Sequence, residues 1–234
     1  MGRVFKFKQF EVDQSDCAMK INTDGVLLGA IAAHAAPSRI LDIGTGTGVI
    51  AMMLAQRYVG AFVEAVEIDK PAAIRAATNF NQSAFAGRLM VNLADIAAFK
   101  SEDRFELIVS NPPYFVNDLK NPEARKGIAR HTHEDFFAAL LQKVARLLHK
   151  DGVFWVILPV KQAEQLVVNA VLSRLFPVKI IHVFSDIYKT EFRQIVCFSF
   201  SHQAPEHENF YIYEAEGVYT PAYIKLLKDY FLAF

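Results

Sequence analysis

An α/β fold, with a mostly parallel sheet and helices on both of its faces, is what this sequence predicts. Three observations carry that expectation. Short β-branched and apolar runs alternate with longer stretches whose apolar residues recur at helical spacing, the signature of repeated strand, helix, strand units. The short runs are apolar almost throughout rather than at every second position, as strands covered on both faces must be. A glycine turn, Gly44-Thr45-Gly46-Thr47-Gly48, follows the first of these runs and leads straight into a helical pattern.

Taken in order, Arg39–Ile43, Phe62–Glu67, Leu89–Leu93, Leu107–Ser110 and Val153–Leu158 read as parallel strands. Val49–Arg57, Pro71–Gln82, Glu134–Leu148 and Gln162–Leu175 read as the crossover helices, with Pro71 in a first turn, where its missing N–H costs nothing. Val178–Phe184 and Gln194–Ser201 are β-rich and flank a turn-prone stretch, which predicts an antiparallel hairpin at the edge of a seven-stranded sheet. Tyr219–Leu232 reads as a final helix, capped by Thr220 with Pro221 at its first position. One domain over 1–234 is expected, made of an arm and closing segment (1–36), a core (37–201) and a tail with the final helix (202–234).

Composition narrows the class. The 234 residues suffice for one α/β domain, and 53% apolar content with 20 Phe excludes a disordered chain. Cys17 and Cys197 lie far apart and match no metal-ligand spacing, so neither a disulfide framework nor a zinc site is expected and a reducing compartment fits. The longest apolar run, Val26–Ala36, is too short to cross a bilayer, and Met1–Gln14 alternates charge with Phe instead of forming a signal peptide, so a cytoplasmic protein is expected. A formal net charge of zero argues against a surface that binds polyanions everywhere; any nucleic-acid contact must be local. Positive charge gathers at Arg3, Lys6, Lys8 and Lys20 and again at Arg125, Lys126 and Arg130, while Glu206, Glu208, Glu214 and Glu216 make a late segment acidic. Each cluster reads equally well as an ordinary solvated face.

A strand, a glycine turn and a helix N-terminus together let a ligand approach the backbone closely and meet free N–H groups. The register G-x-G-x-G puts Val49 where a dinucleotide fingerprint needs its third glycine, and no second substrate domain follows, so a nicotinamide enzyme is disfavoured. Glu67 ends the second strand, where a carboxylate can take both ribose hydroxyls of an adenosine-containing cofactor, whereas Asp69 suits the N-cap of the next helix. Asp95, after the third strand, joins Asp42 and Glu67 on one rim as a partner for an adenine amino group; taken alone it would be a cap or a surface charge.

The fourth strand ends in Ser110-Asn111-Pro112-Pro113-Tyr114. Two prolines hold the backbone extended and remove two donors, leaving carbonyl acceptors and the Asn111 amide at the strand's mouth. With the upstream glycine turn, this resembles the Rossmann-like class I S-adenosylmethionine-dependent methyltransferases whose N-P-P-Y motif serves adenine N6, guanine N2 or a glutamine amide. In all three the nitrogen lone pair is delocalised and attacks poorly. The resemblance implies that the Asn111 side-chain oxygen and the Pro112 carbonyl accept both amino hydrogens, aim the nitrogen and stabilise its developing charge. It implies that Tyr114 stacks on a flipped base beside Pro113, and that no metal is needed. The implied S-adenosylmethionine site comprises Thr23, Asp24, Asp42, Gly44, Gly46, Gly48, Glu67, Ile68, Asp95, Ile96 and Asn111.

Nearly the whole chain resembles the bacterial adenine-37 N6-methyltransferases of valine tRNA. The arm Phe5-Lys6-Phe7-Lys8-Gln9-Phe10, the segment Met19–Gly29 and the tail from Tyr219-Thr220-Pro221 to Lys228-Asp229-Tyr230-Phe231-Leu232 carry that likeness, with Asn22 standing where a small residue such as Gly is expected. It implies that Thr23-Asp24 closes over the methionine end of the cofactor, and that Arg125, Lys126 and Arg130 grip the phosphates of a tRNA anticodon loop. A monomer with neither membrane nor metal partner is the expected state, and His131, at a helix start, is a cap neighbour rather than a base. DNA adenine enzymes carry a separate recognition domain, and release-factor glutamine enzymes a helical domain before the glycine turn; this chain has neither. Guanine N2 or glutamine N5 transfer by the same tetrapeptide stays open, as does a turnover-free RNA-binding protein on the same fold.

Overall fold

The computed structural model describes residues 4–15, 17, 20–113 and 126–234, with the backbone alone over 126–134. A hairpin of β1 (Val4–Lys6) and β2 (Glu11–Asp13) precedes α1 (Thr23–Ile31). The core follows as β3 (Arg39–Ile43), α2 (Val49–Arg57), β4 (Phe62–Glu67), α3 (Lys70–Gln82), β5 (Leu89–Leu93), β6 (Phe105–Ser110), α4 (Lys126–Leu147), β7 (Leu148–Leu158), α5 (Val160–Ala170), β8 (Phe176–Phe184) and β9 (Arg193–Ser199). The tail adds β10 (Glu206–Tyr211), β11 (Tyr213–Ala215), β12 (Val218–Tyr219) and α6 (Pro221–Leu227).

The main sheet has eight strands in the order β10-β8-β9-β7-β6-β3-β4-β5. From β7 to β5 every pairing is parallel, while β9 enters antiparallel between β7 and β8. The expected hairpin is therefore present, and β10 extends the sheet by one strand beyond the seven expected, running parallel to β8. Its acidic residues are matched by Lys179 of β8, whose ammonium lies 3.4 Å from Glu206 and 2.7 Å from Glu208.

Apolar residues alternate between two cores, one on each side of the sheet. Ile40, Leu107, Val109, Trp155 and Ile157 pack with α1, α2 and the arm, whereas Leu41, Ile108, Phe154 and Val156 pack with α4 and α5. Both pleat directions are thus buried, which is why these strands read as unbroken apolar runs. Each fully buried Leu or Ile contributes about 2 kcal/mol of burial.

Asn22 is the N-cap of α1, its side chain accepting the Gly25 N–H at 2.9 Å, a duty that Asn fulfils and Gly does not. The far end of α1 is held by Arg57, which donates to the carbonyls of Gly29 (2.9 Å), Ala32 (2.8 Å) and Ala30. Thr220 caps α6 and Pro221 opens it as expected, but the helix runs only to Leu227 rather than Leu232.

The arm folds onto the tail. The Phe7 ring stacks on Phe10 at 4.4 Å between centroids and tilts against Phe231 at 5.8 Å. Lys8 donates its backbone N–H to the Tyr230 carbonyl, and its ammonium to the carbonyls of Lys228 and Phe234. Lys6 pairs with Glu11 at 2.8 Å, so these two cations of the basic arm are engaged within the protein. Among the described residues no helix is long and apolar enough to cross a membrane.

Candidate active site

The carboxyl ends of β3, β4, β5 and β6 surround a cavity of about 300 Å³, the position at which open parallel sheets bind ligands. Gly44, Gly46, Glu67, Ile68, Asp95, Ile96, Asn111, Pro112 and Pro113 all line it. These are the residues singled out from four separate stretches of sequence. The ends of the strands are tied together: the Ser110 hydroxyl donates to the Ile43 carbonyl at 3.0 Å, and the Gly44 N–H donates to the Val66 carbonyl at 2.8 Å.

Glu67 is buried, and each carboxylate oxygen accepts one backbone N–H, from Gly46 and from Asp69, both at 2.8 Å. A carboxylate oxygen takes two hydrogen bonds, so both keep a lone pair for ligand hydroxyls. The same contact fixes the glycine turn against β4. Gly46 has φ 56°, and a β-carbon built on it meets no heavy atom within 4 Å; any side chain there would take up cavity space. Val66 and Ile68 on one strand end and Ala94 and Ile96 on the next supply apolar walls that suit a flat ring.

Asp42 lies beneath the turn, fully buried, rather than on the cavity rim beside Glu67 and Asp95. Its Oδ2 accepts the Thr45 hydroxyl at 2.6 Å and the Ala51 N–H at 3.2 Å, while Oδ1 has no partner. Burial pushes its carboxyl up to about 7, against the lowering effect of those two hydrogen bonds. Asp95 is exposed and its Oδ1 accepts the Ala97 N–H at 2.8 Å. Asp69 caps α3 through the Ala72 N–H at 3.0 Å, as its sequence position suggests.

Thr23 and Asp24 form the first turn of α1 beside the motif. A β-carbon placed on Gly25 would stand 3.7 Å from Asn111 Nδ2 and 3.7 Å from Val49 Cγ1. Asp24 is buried and ion-paired with Arg193 at 2.8 Å. Gly48 opens α2 and packs on Phe80. Tyr114 and Arg125 lie outside the described residues; Lys126 and Arg130 belong to α4, and His131 follows within it.

Several participants carry no motif. Cys17 and Phe136 also line the cavity, Phe136 from within the stretch Glu134–Leu148 whose apolar spacing marks only a helix. Asn79, 2% exposed, donates to the Thr47 carbonyl at 2.9 Å and the Asp13 carbonyl at 3.0 Å, and accepts the Asp13 N–H, which ties the arm to the glycine turn. Arg193 reaches Asp24 across 169 residues of sequence, a pairing with no local signal.

Comparison with known proteins bears on the family and the fold. Residues 21–182 match the methyltransferase small domain. Over 234 residues, all of both chains, the sequence is 56% identical to a tRNA1(Val) (adenine(37)-N6)-methyltransferase of Pedobacter heparinus. It is 39% identical to the protein of the same name from Bacteroides thetaiotaomicron, over 97% of each chain. A predicted O-methyltransferase from Agrobacterium tumefaciens shares the fold with a TM-score of 0.69 at 19% identity, over 88% of this chain and 96% of that one. With its full length matched and the glycine turn, Glu67 and the Asn111-Pro112-Pro113 strand end gathered on one cavity, the chain belongs to the tRNA1(Val) (adenine(37)-N6)-methyltransferase family.

Proposed function

We propose that this protein transfers a methyl group from S-adenosylmethionine to the N6 amino group of adenine-37 in a valine tRNA, working over 1–234 as one unit. The observation that carries the reading is the meeting of two chemistries on one cavity: Glu67 and Asp95 suited to an adenosine at one side, Asn111 and Pro112 suited to a planar amino group at the other. The relatives' names supply the substrate.

When bound, the cofactor supplies an electrophilic methyl group. Gly44, Gly46 and Gly48 let the backbone come close to it, Glu67 takes the ribose hydroxyls, Asp95 the adenine amino group, and Ile68 and Ile96 flank the ring. Asp42 holds the turn from beneath, and Thr23 and Asp24 lie over the methionine end. Asn111 and the Pro112 carbonyl accept the two hydrogens of the target amine, hold its nitrogen in line, and offset the positive charge that grows on it. The amine proton leaves to water after transfer, and no strong base is required. Pro113 and Tyr114 bear on the base, and Arg125, Lys126 and Arg130 on the anticodon-loop phosphates. The bacterial cytoplasm, where tRNA is modified, is the compartment this reading implies.

Nucleoside mass spectrometry of tRNA incubated with the protein and S-adenosylmethionine tests the reading. N6-methyladenosine is the expected product, and Asn111→Ala lowers kcat by on the order of 10²–10³. N2-methylguanosine, or methylation of a protein amide alone, would refute the assignment.

A further inference from the structure

We infer that the tip of the β8–β9 connection, Ile187-Tyr188-Lys189, docks the RNA strand beside the target adenosine, Tyr188 stacking on an unpaired base and Lys189 meeting a phosphate. This deepens the proposed function and rests on its RNA substrate.

The connection leaves the carboxyl end of β8, the same end of the sheet as the cavity. It is joined to the motif in short steps. Arg193, the first residue of β9, holds Asp24 of α1 at 2.8 Å, and the next residue, Gly25, abuts Asn111. In this proposal a strand whose base is seated at Asn111 runs across α1 toward this connection.

Its tip is built for presentation. Tyr188 is 86% exposed and Ile187 63%, so neither gains much from folding. A lone exposed aromatic is unremarkable; a ring set between an exposed apolar side chain and a cation is the pairing that single-stranded nucleic acid uses, because every base has a π-face and every nucleotide a phosphate. The backbone beneath is fixed. Asp186 Oδ1 accepts the Tyr188 N–H at 2.8 Å, and its carbonyl accepts the Lys189 N–H at 3.3 Å. Glu191 lies 2.7 Å from His182 Nδ1, and the Phe192 N–H donates to the Val183 carbonyl at 3.1 Å. Below, the Tyr213 N–H donates to the Ser185 carbonyl at 2.8 Å, and the Tyr213, Tyr219 and Tyr223 rings stack at 4.9 and 4.7 Å. A backbone held this way loses little freedom on binding, so the ordering cost falls on the Tyr188 side chain alone.

The test uses the full-length protein and a fluorescein-labelled 17-nucleotide anticodon stem-loop of valine tRNA, with binding read by anisotropy and turnover by methyl incorporation. Tyr188→Ala is expected to raise Kd and KM for the RNA by about tenfold, the scale of one lost base stack. Its kcat at saturating RNA, its calorimetric affinity for S-adenosylmethionine and its Tm are expected to match wild type, and Tyr188→Trp to restore binding. Lys189→Gln is expected to flatten the slope of log K against log salt by about 0.7, one single-strand phosphate contact. Unchanged KM in Tyr188→Ala, alongside normal wild-type turnover, overturns the inference alone. A fall in Tm or kcat, or an altered sedimentation coefficient, overturns it in favour of a structural or protein-contact role. If wild type neither binds nor methylates the RNA, the substrate reading falls and takes the inference with it.

Discussion

Replacing Gly48 by Ala perturbs one backbone position and one ring, and the two effects can be worked out separately. Gly48 sits at φ 90°, where an L side chain costs about 1–2 kcal/mol. The new β-carbon would lie 2.4 Å from Cε1 of Phe80, 3.0 Å from Cζ and 3.2 Å from Cδ1. Phe80 is 2% exposed and has no free space to swing into, so overpacking adds about 1–3 kcal/mol. Together the loss is about 2–5 kcal/mol, a fall in Tm of about 5–15 °C for a chain of this size. Calorimetric melts of Gly48→Ala and Gly46→Ala make the comparison. Gly46→Ala meets no neighbouring atom, so only the backbone cost, about 1–2 kcal/mol, reaches its Tm, while its methyl group enters the cavity and weakens cofactor binding. In Gly48→Ala/Phe80→Val part of the loss is recovered, because the two sites touch and cannot be additive. A Gly48→Ala melt within 2 °C of wild type, about 1 kcal/mol or less, would refute the packing between turn and helix.

Two further perturbations address the groups around the turn and α1. Asp42 binds its proton more tightly folded, at about 7, than at its ordinary 3.8, so its contribution is intact below about pH 4 and is lost as pH rises through 7. Over that window the loss is about 4 kcal/mol, and Asp42→Asn should remove it: urea midpoints of variant and wild type diverge in the variant's favour from pH 5 to pH 8, and parallel curves would contradict a buried ionisation. Arg57→Met keeps the aliphatic stem but leaves the Gly29, Ala30 and Ala32 carbonyls unmatched. A loss of about 2–4 kcal/mol in urea unfolding, with faster amide exchange over Thr23–Ile31, is expected; an unchanged midpoint would mean that water serves those carbonyls equally well.

Strands β3, β4 and β5 and helix α2 could be read residue for residue from the sequence: β3 and β4 because they are covered on both faces, β5 because it keeps an apolar run even at the sheet edge, where Met90 and Leu93 are exposed, and α2 because it follows a glycine turn. The cavity could be read for the same reason: β-strand ends and their turns are contiguous in sequence, so Gly44, Glu67, Asp95 and Asn111 each announce themselves. Helix α1 left no periodic signal because Asp24–Ala30 are all buried, and a helix covered all round has no solvent face to set the phase. Strand β10, Glu-His-Glu-Asn-Phe-Tyr, hides for the opposite reason: at a sheet edge it needs little apolar surface, and its partner Lys179 is 27 residues away from Glu206. Asn79 and Arg193 belong to no motif at all. Their importance lies in contacts that close long loops, and only three-dimensional proximity shows them.

The zipping of residues 5–10 against residues 228–234 also bears on how the protein comes into being. On the ribosome the arm emerges long before the tail, so the phenyl groups of Phe5 and Phe7 and the Lys8 ammonium have no tail to meet until Phe231 has cleared the exit tunnel. For most of synthesis an aromatic, cationic thread trails from a sheet still waiting for β9, which enters between β7 and β8. An interrupted translation product would keep that thread unpartnered, a ready mark for chaperones and proteases, whereas in the finished protein Phe7 and Phe10 are buried and the Lys8 ammonium is bound to tail carbonyls.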